Sequence, residues 1–304
     1  MIYTCTLNPS IDYLVGLEDM KFGSLNRANK TAFYAGGKGI NVSRVLKSLG
    51  ETSTALGYIG GFTGAFIQDQ LEQAGILQDF IKVTDPTRIN IKLKSGIETE
   101  INGIGPMISE EQKYELFEKI SALTSEDFLI LAGSLPPAVS PEFYGAIAKL
   151  CFEKKIRLIA DTSGEALEAI LQYEPFLVKP NEHELGELFN VEISSIEEVV
   201  FYGRKLLEKG PINVIVSLGS KGALLINKDV VAFANVPKGE LKNSVGAGDS
   251  VVAGFVASYK KQSEYLEAFK YGIACGSATA FSLDLCDKDS VRKLLPEIEV
   301  KTIG

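Results

Sequence analysis

Phe128-Leu129-Ile130-Leu131-Ala132-Gly133-Ser134-Leu135-Pro136-Pro137 is the stretch on which the fold turns. Five apolar residues in succession, with no polar alternation, read as a strand buried on both faces, and Gly133-Ser134 followed by two prolines ends it. A segment of helical period, 142–154, comes next. The unit then recurs. Ile156 to Ala160, Phe176 to Val178 and Asn213 to Val216 read as further, largely apolar strands, each followed by a polar turn and in most cases by a helical pattern. The alternation predicts an α/β fold with a central, mainly parallel sheet flanked by helices. Ligands of such sheets bind beyond the carboxyl ends of the strands. The turns Gly133-Ser134, Asp161-Thr162, Lys179-Pro180-Asn181 and Ser217-Leu218-Gly219 are therefore expected to line one cleft.

Upstream the pattern changes. Residues 11–35 and 86–105 lack a 3.6-residue period, are rich in Thr, Asn, Tyr and Ile, and read as strands of a small separate sheet. Between them, Ile40, Val45, Leu46 and Leu49 suit a helix after Gly39, and 63–74 suits a second. The expected organisation is a core of 1–10, 36–85 and 106–304, with a discontinuous β lid of 11–35 and 86–105. No internal repeat or linker divides the chain.

Composition narrows the chemistry. The chain of 304 residues is 45% hydrophobic and 23% charged, enough to fill a large core. Its net charge of -8, without a Lys/Arg block, speaks against nucleic acid or an anionic lipid surface as partner. The first residues lack the pattern of a signal peptide and no run approaches a membrane span, so a cytoplasmic location is expected. Cys5, Cys151, Cys275 and Cys286 have no paired spacing and are expected to be buried thiols. His183 is the one histidine, which excludes multi-histidine metal sites and any Ser-His-Asp triad without it. Carboxylates, lysines and backbone amides are left to act.

The strongest local signal is Asn243-Ser244-Val245-Gly246-Ala247-Gly248-Asp249-Ser250, followed by apolar residues at helical spacing. Glycines that open a helix let its free N–H groups approach a phosphate, with the helix dipole in support. Asp249 in that first turn is either a carboxylate stabilising the helix start or a cleft carboxylate, and its position alone leaves both open. The run is no dinucleotide fingerprint, because Val251 stands where Gly or Ala is needed. Nor is there a P-loop, since the one Gly-Lys pair, Gly37-Lys38, is followed by Gly39.

Gly36-Gly37-Lys38-Gly39-Ile40-Asn41 is a second glycine-rich helix start, structural or ligand-binding. Asp12, after the turn Asn8-Pro9-Ser10, is a turn aspartate or an acceptor for two sugar hydroxyls. Arg88 and Asn90 alternate and share one face of the small sheet, as residues of a solvated edge or as a phosphate-binding pair. Asn181 and Glu184, one helical turn apart, suit a helix cap or Mg²⁺ held through water.

Taken together, Thr6-Leu7-Asn8-Pro9-Ser10-Ile11-Asp12, Gly36 to Arg44 and Val245 to Asp249 resemble the two signatures of the PfkB, or ribokinase-like, carbohydrate kinases. The resemblance spans the chain. Thr87 to Lys92, Glu98 to Asn102, Gly133 to Pro137 and Lys179 to Leu185 look like its phosphosugar branch. It implies a ribokinase-like, Rossmann-type core, a β-sheet lid, and a homodimer formed through the lids. It further implies that ATP phosphorylates fructose 1-phosphate at C6, with tagatose 6-phosphate as the alternative substrate and a non-catalytic sugar-phosphate or nucleotide binder as the reading from another class.

Carried over by position, Asp249 would be the base, with Gly246, Ala247 and Gly248 as the anion hole. Asp12, Gly37, Lys38, Asn41, Arg88, Asn90 and Ser134 would hold the sugar phosphate. Lys179, Asn181, Ser217, Gly219, Gly222, Gly248 and Ser277 would serve ATP, and Glu184 would hold Mg²⁺ indirectly.

Overall fold

The computed structural model describes residues Met1–Gly304, the side chain of Ile97 excepted. The strand Phe128–Ala132 lies near the middle of an eleven-stranded sheet. On one side follow Ile2–Thr6, Ser53–Gly60 and Leu77–Gln78, with Ile81–Val83 pairing further along Ser53–Gly60. On the other side lie Arg157–Asp161, Leu177–Val178 and Asn213–Ser217, all still parallel. Three antiparallel strands, Ala223–Asn227, Val231–Ala234 and Val300–Thr302, close that edge.

Continuous apolar strands are needed because both faces are covered. Phe128, Ile130 and Ala132 pack into one hydrophobic cluster with helices Lys38–Ser48, Ala247–Gln262 and Tyr265–Ala280. Leu129 and Leu131 point the other way, into a cluster with Glu110–Ser121, Pro141–Lys154, Gly164–Leu171, Glu182–Phe189 and Ile196–Leu207. Each of the larger side chains, Phe128, Leu129, Ile130 and Leu131, contributes about 1.5–3 kcal/mol relative to an exposed position. Helix Glu110–Ser121 starts at a reciprocal cap: Ser109 Oγ accepts from Gln112 N, and Gln112 Oε1 accepts from Ser109 N. The four cysteines are buried and unpaired.

A second sheet of four strands runs in the order Lys30–Gly36, Ser10–Gly16, Arg88–Ser95, Ile97–Asn102. The pair Ser10–Gly16 and Arg88–Ser95 is parallel, and the outer pairs are antiparallel. Helix Gly61–Gln73 packs beneath it through Ile67 and Leu71, which meet Ile11 and Ala35. The strand pattern expected across 11–35 is interrupted: 17–29 holds no strand. Its Gly, Asn, Asp and Ser residues favour turns, and Asn26 closes one by bonding to both main-chain groups of Lys21. Two alternatives for sheet residues fail on position. Asp12 lies inside a strand rather than in a turn, and Arg88–Ser95 is an interior strand rather than an edge.

Candidate active site

Two helix starts meet above the carboxyl ends of the central strands. Gly37 caps Lys38–Ser48 with φ 117° and Gly246 caps Ala247–Gln262 with φ 79°, conformations that a residue with a Cβ adopts only under strain. The helices deliver Asn41 and Asp249 to each other: Asn41 Nδ2 donates to Asp249 Oδ2 at 2.9 Å. Asp249 is 6% exposed, the first turn of an otherwise buried helix having carried it beneath the cleft surface.

Beside it is a carboxylate that sequence reasoning placed in the cleft only as part of a turn. Asp161 Oδ1 receives Lys38 Nζ at 3.0 Å and Lys179 Nζ at 3.5 Å, while Oδ2 is buried without a partner. Burial works to raise Asp161, but the two ammonium groups outweigh it and hold the carboxyl below its usual range. Asp249 goes the other way. Burial, reinforced by the charge of Asp161, pushes it up to about 6 against the opposing pull of Asn41 and the two lysines. Lys38, with Asp161 as its main partner, is raised. Two neighbouring carboxyls are thus driven apart: the lysines hold Asp161 low, while burial raises Asp249 to about 6, the divergence expected of a pair with separate acid–base duties.

Gly248 leaves room for Lys179, whose Nζ would stand 3.0 Å from a Cβ at that position. Of the expected anion hole, Ala247 N–H already donates to Ser244 O at 3.4 Å. The helix geometry leaves the amides of Gly248 and Asp249 open.

The small sheet supplies the opposite wall. Asp12 Oδ1 accepts from Ser10 Oγ (2.8 Å) and Asn90 Nδ2 (3.1 Å), so the amide fixes the carboxylate. Arg88 donates through Nε and Nη2 to Asn8 O and through Nη1 to Gly103 O, which aims the guanidinium; burial lowers its pKa. Asn8 Nδ2 reaches Ser134 Oγ at 3.4 Å.

One cleft of about 580 Å³ is lined by Asp12, Gly37, Lys38, Asn41, Arg88, Asn90 and Ser134, together with Lys179, Asn181, Glu184, Ser217, Gly246, Gly248 and Asp249. A neighbouring cavity of about 960 Å³ shares Asn181 and Ser217 and adds Gly219. Two expected ATP residues line neither. Ser277 is buried within its helix and donates to Ile273 O. Gly222, at φ 118°, turns the chain into the antiparallel strand, where a Cβ would stand 2.4 Å from Ala234 O. Asn181 and Glu184 form a reciprocal helix cap, each accepting from the other's backbone N–H at 2.8 Å. The signal for Asp161 was a carboxylate directly after the apolar run Leu158-Ile159-Ala160, and Asn8 lay in the turn before Asp12.

A family model described as pfkB family carbohydrate kinase matches residues 5–289. The chain is 52% identical over 300 residues to a 1-phosphofructokinase of Bacillus subtilis (strain 168), covering 99% of both. It is 35% identical over 307 residues to a tagatose-6-phosphate kinase of Staphylococcus epidermidis (RP62A), covering 99% of both. Among solved structures, phosphofructokinase-2 of Escherichia coli in complex with substrates and products superposes with a TM-score of 0.93 at 31% identity, covering 97% of this chain and 98% of that one.

Proposed function

Because this chain belongs to the pfkB family of carbohydrate kinases, we propose that it transfers the γ-phosphoryl group of ATP to the C6 hydroxyl of fructose 1-phosphate, giving fructose 1,6-bisphosphate and ADP. The carrying observation is Asp249: a buried carboxyl with a pKa of about 6, held by Asn41 at the start of a helix whose amides face the cleft.

In this reading Asp249 orients the attacking hydroxyl and accepts its proton on a carboxylate oxygen. The free amides of Gly248 and Asp249, with Lys179, receive the transferring group's negative charge. Little charge develops early on the nucleophile in phosphoryl transfer, so a weak base suffices, and positioning supplies most of the acceleration. Asp12 takes sugar hydroxyls through the oxygen that Asn90 leaves open. Arg88 faces the phosphate the sugar already carries, with Ser134 beside it. Asn181, Ser217 and Gly219 border the nucleotide.

Magnesium would neutralise charge on the ATP phosphates. Among the described residues no three His, Cys, Asp or Glu side chains gather as a metal cluster. The unpartnered Oδ2 of Asp161 and the Glu184 oxygen outside its cap fit an ion carried in mainly by phosphates and water.

The outer face of the small sheet carries Tyr13 stacked on Phe33 at 4.3 Å, with Phe33, Ile89 and Ile101 exposed. We assign this face to a second copy of the chain, making a homodimer through the lids. No helix among the described residues is long and apolar enough to cross a membrane. The cytoplasm, which supplies ATP and keeps thiols reduced, is the assigned location.

The test is a coupled ADP-release assay comparing kcat/KM for fructose 1-phosphate, tagatose 6-phosphate and fructose 6-phosphate. A preference for fructose 1-phosphate is expected; a preference for either other sugar overturns the substrate assignment. Binding without turnover of any of them overturns catalysis altogether.

A further inference from the structure

The inner face of the small sheet carries charges that the chemistry above leaves unused. Alternate residues of Arg88–Ser95 share that face, so Lys92 and Lys94 extend the row begun by Arg88 and Asn90. Lys92 stands in register with Glu100, and Lys94 with Glu98. Lys92 Nζ lies 2.6 Å from Glu100 Oε2, yet the two ends differ: the lysine side chain is 13% exposed, the glutamate 40%. Both line the main cleft, and the lysine is the more deeply set of the two. Lys92 also lines a smaller cavity of about 70 Å³ that shares Asp12 and Asn41 with the main cleft.

Four cations line the main cleft: Lys38, Arg88, Lys92 and Lys179. Lys38 and Lys179 both face Asp161. Arg88 has three N–H groups committed to main-chain oxygens. Lys92 is paired with one carboxylate, Glu100, which leaves two of its three N–H groups for a ligand. A phosphate ester carries a charge of about −1.5 to −2 near neutral pH, more than one guanidinium neutralises. Arg88 and Lys92 are four residues apart on one strand face, about 13 Å along the chain, close enough for two long side chains to converge over Asn90.

We propose that Lys92 is a specificity-determining residue whose ammonium leaves Glu100 to join Arg88 on the phosphate ester of the incoming sugar, selecting phosphosugars over their unphosphorylated counterparts. This rests on the assignment of a sugar phosphate to the lid side of the cleft. Lys92 acts on binding, and Asp249 keeps the proton transfer.

The experiment is steady-state kinetics of the full-length wild type, Lys92→Met, Lys92→Arg and Glu100→Gln, with ATP and whichever phosphosugar the wild type turns over fastest, and in parallel with unphosphorylated fructose. Lys92→Met should raise KM for the phosphosugar about 10- to 100-fold, the scale of losing a charge-assisted hydrogen bond. The KM for ATP and kcat/KM for fructose should stay within about threefold. Lys92→Arg should restore most of the loss. Glu100→Gln should leave the phosphosugar KM equal to or below that of the wild type, because a competitor for the ammonium has gone. The inference is overturned if Lys92→Met leaves the phosphosugar KM within twofold, or if Glu100→Gln raises it as much as Lys92→Met does, since the pair would then be a strut of the lid. It is also overturned if Lys92→Met impairs fructose and phosphosugar alike. A wild type preferring another phosphosugar overturns the substrate assignment, while the ratio of variant to wild type on that sugar still judges Lys92.

Discussion

Replacing Asp249 by Asn should make the protein more stable and nearly inactive, and the size of the first effect follows from the cleft. The Asp249 carboxyl is raised from 3.8 to about 6, chiefly by burial and then by Asp161. A group whose folded pKa lies above its unfolded value binds its proton more tightly in the fold, so ionising it costs stability. The cost is absent below about pH 4, develops between about pH 4 and pH 6, and is complete above that. Two pKa units correspond to about 3 kcal/mol, a ceiling for a group that shares its field with Asp161. Asn removes the charge and keeps an oxygen for Asn41 Nδ2. Thermal melts of the ligand-free protein should therefore show the variant a few degrees more stable than wild type near pH 8, with the difference vanishing near pH 4. In the same preparation kcat should fall roughly 10²–10⁴-fold with both ligands still bound. A variant that keeps near-wild-type kcat refutes the base. One that folds but gains no stability near pH 8 refutes the burial argument behind its pKa.

The pH profile of wild-type kcat/KM should lose activity on the acid side with a midpoint near 6, as Asp249 becomes protonated. Asp161→Asn should move that midpoint lower, because it removes a like charge and leaves Lys38 and Lys179 facing Asp249; an unmoved or raised midpoint would contradict the coupling. On the outer lid face, Phe33→Lys should convert a dimer into monomers in sedimentation velocity, and unchanged sedimentation would place the interface elsewhere.

The large sheet was readable because Phe128–Ala132 is buried on both faces, and burial on both faces writes itself as an unbroken apolar run. The two helix starts were readable because a positive φ at Gly37 and Gly246 leaves a glycine in the sequence. Asp161 was not. Its partner Lys38 lies 123 residues away, and nothing local distinguishes a carboxylate that joins two lysines from one that ends a strand in water. Asp12 stayed open between a turn residue and an acceptor for sugar hydroxyls because Pro9 precedes it; pairing with Tyr34 and Asn90 draws it into a strand. Ser277 and Gly222 came by resemblance. The packing of Tyr265–Ala280 and the turn into Ala223–Asn227 engage them elsewhere.

The small sheet has two surfaces of opposite character written into one set of strands. Row by row, Tyr34, Asp12, Asn90 and Asn102 face the cleft, while Phe33, Tyr13, Ile91 and Ile101 face away. Because strand side chains alternate with a period of two, sliding Arg88–Ser95 by a single residue would turn Arg88, Asn90 and Lys92 outward and bring isoleucines over the cleft. The cleft-facing polar row and the outward aromatic and aliphatic row are therefore locked to the same parity, and neither can shift without the other. Changes of length in the 17–29 segment and in the turn at Gly96 fall between strands, so the small sheet can lengthen there while its parity stays fixed.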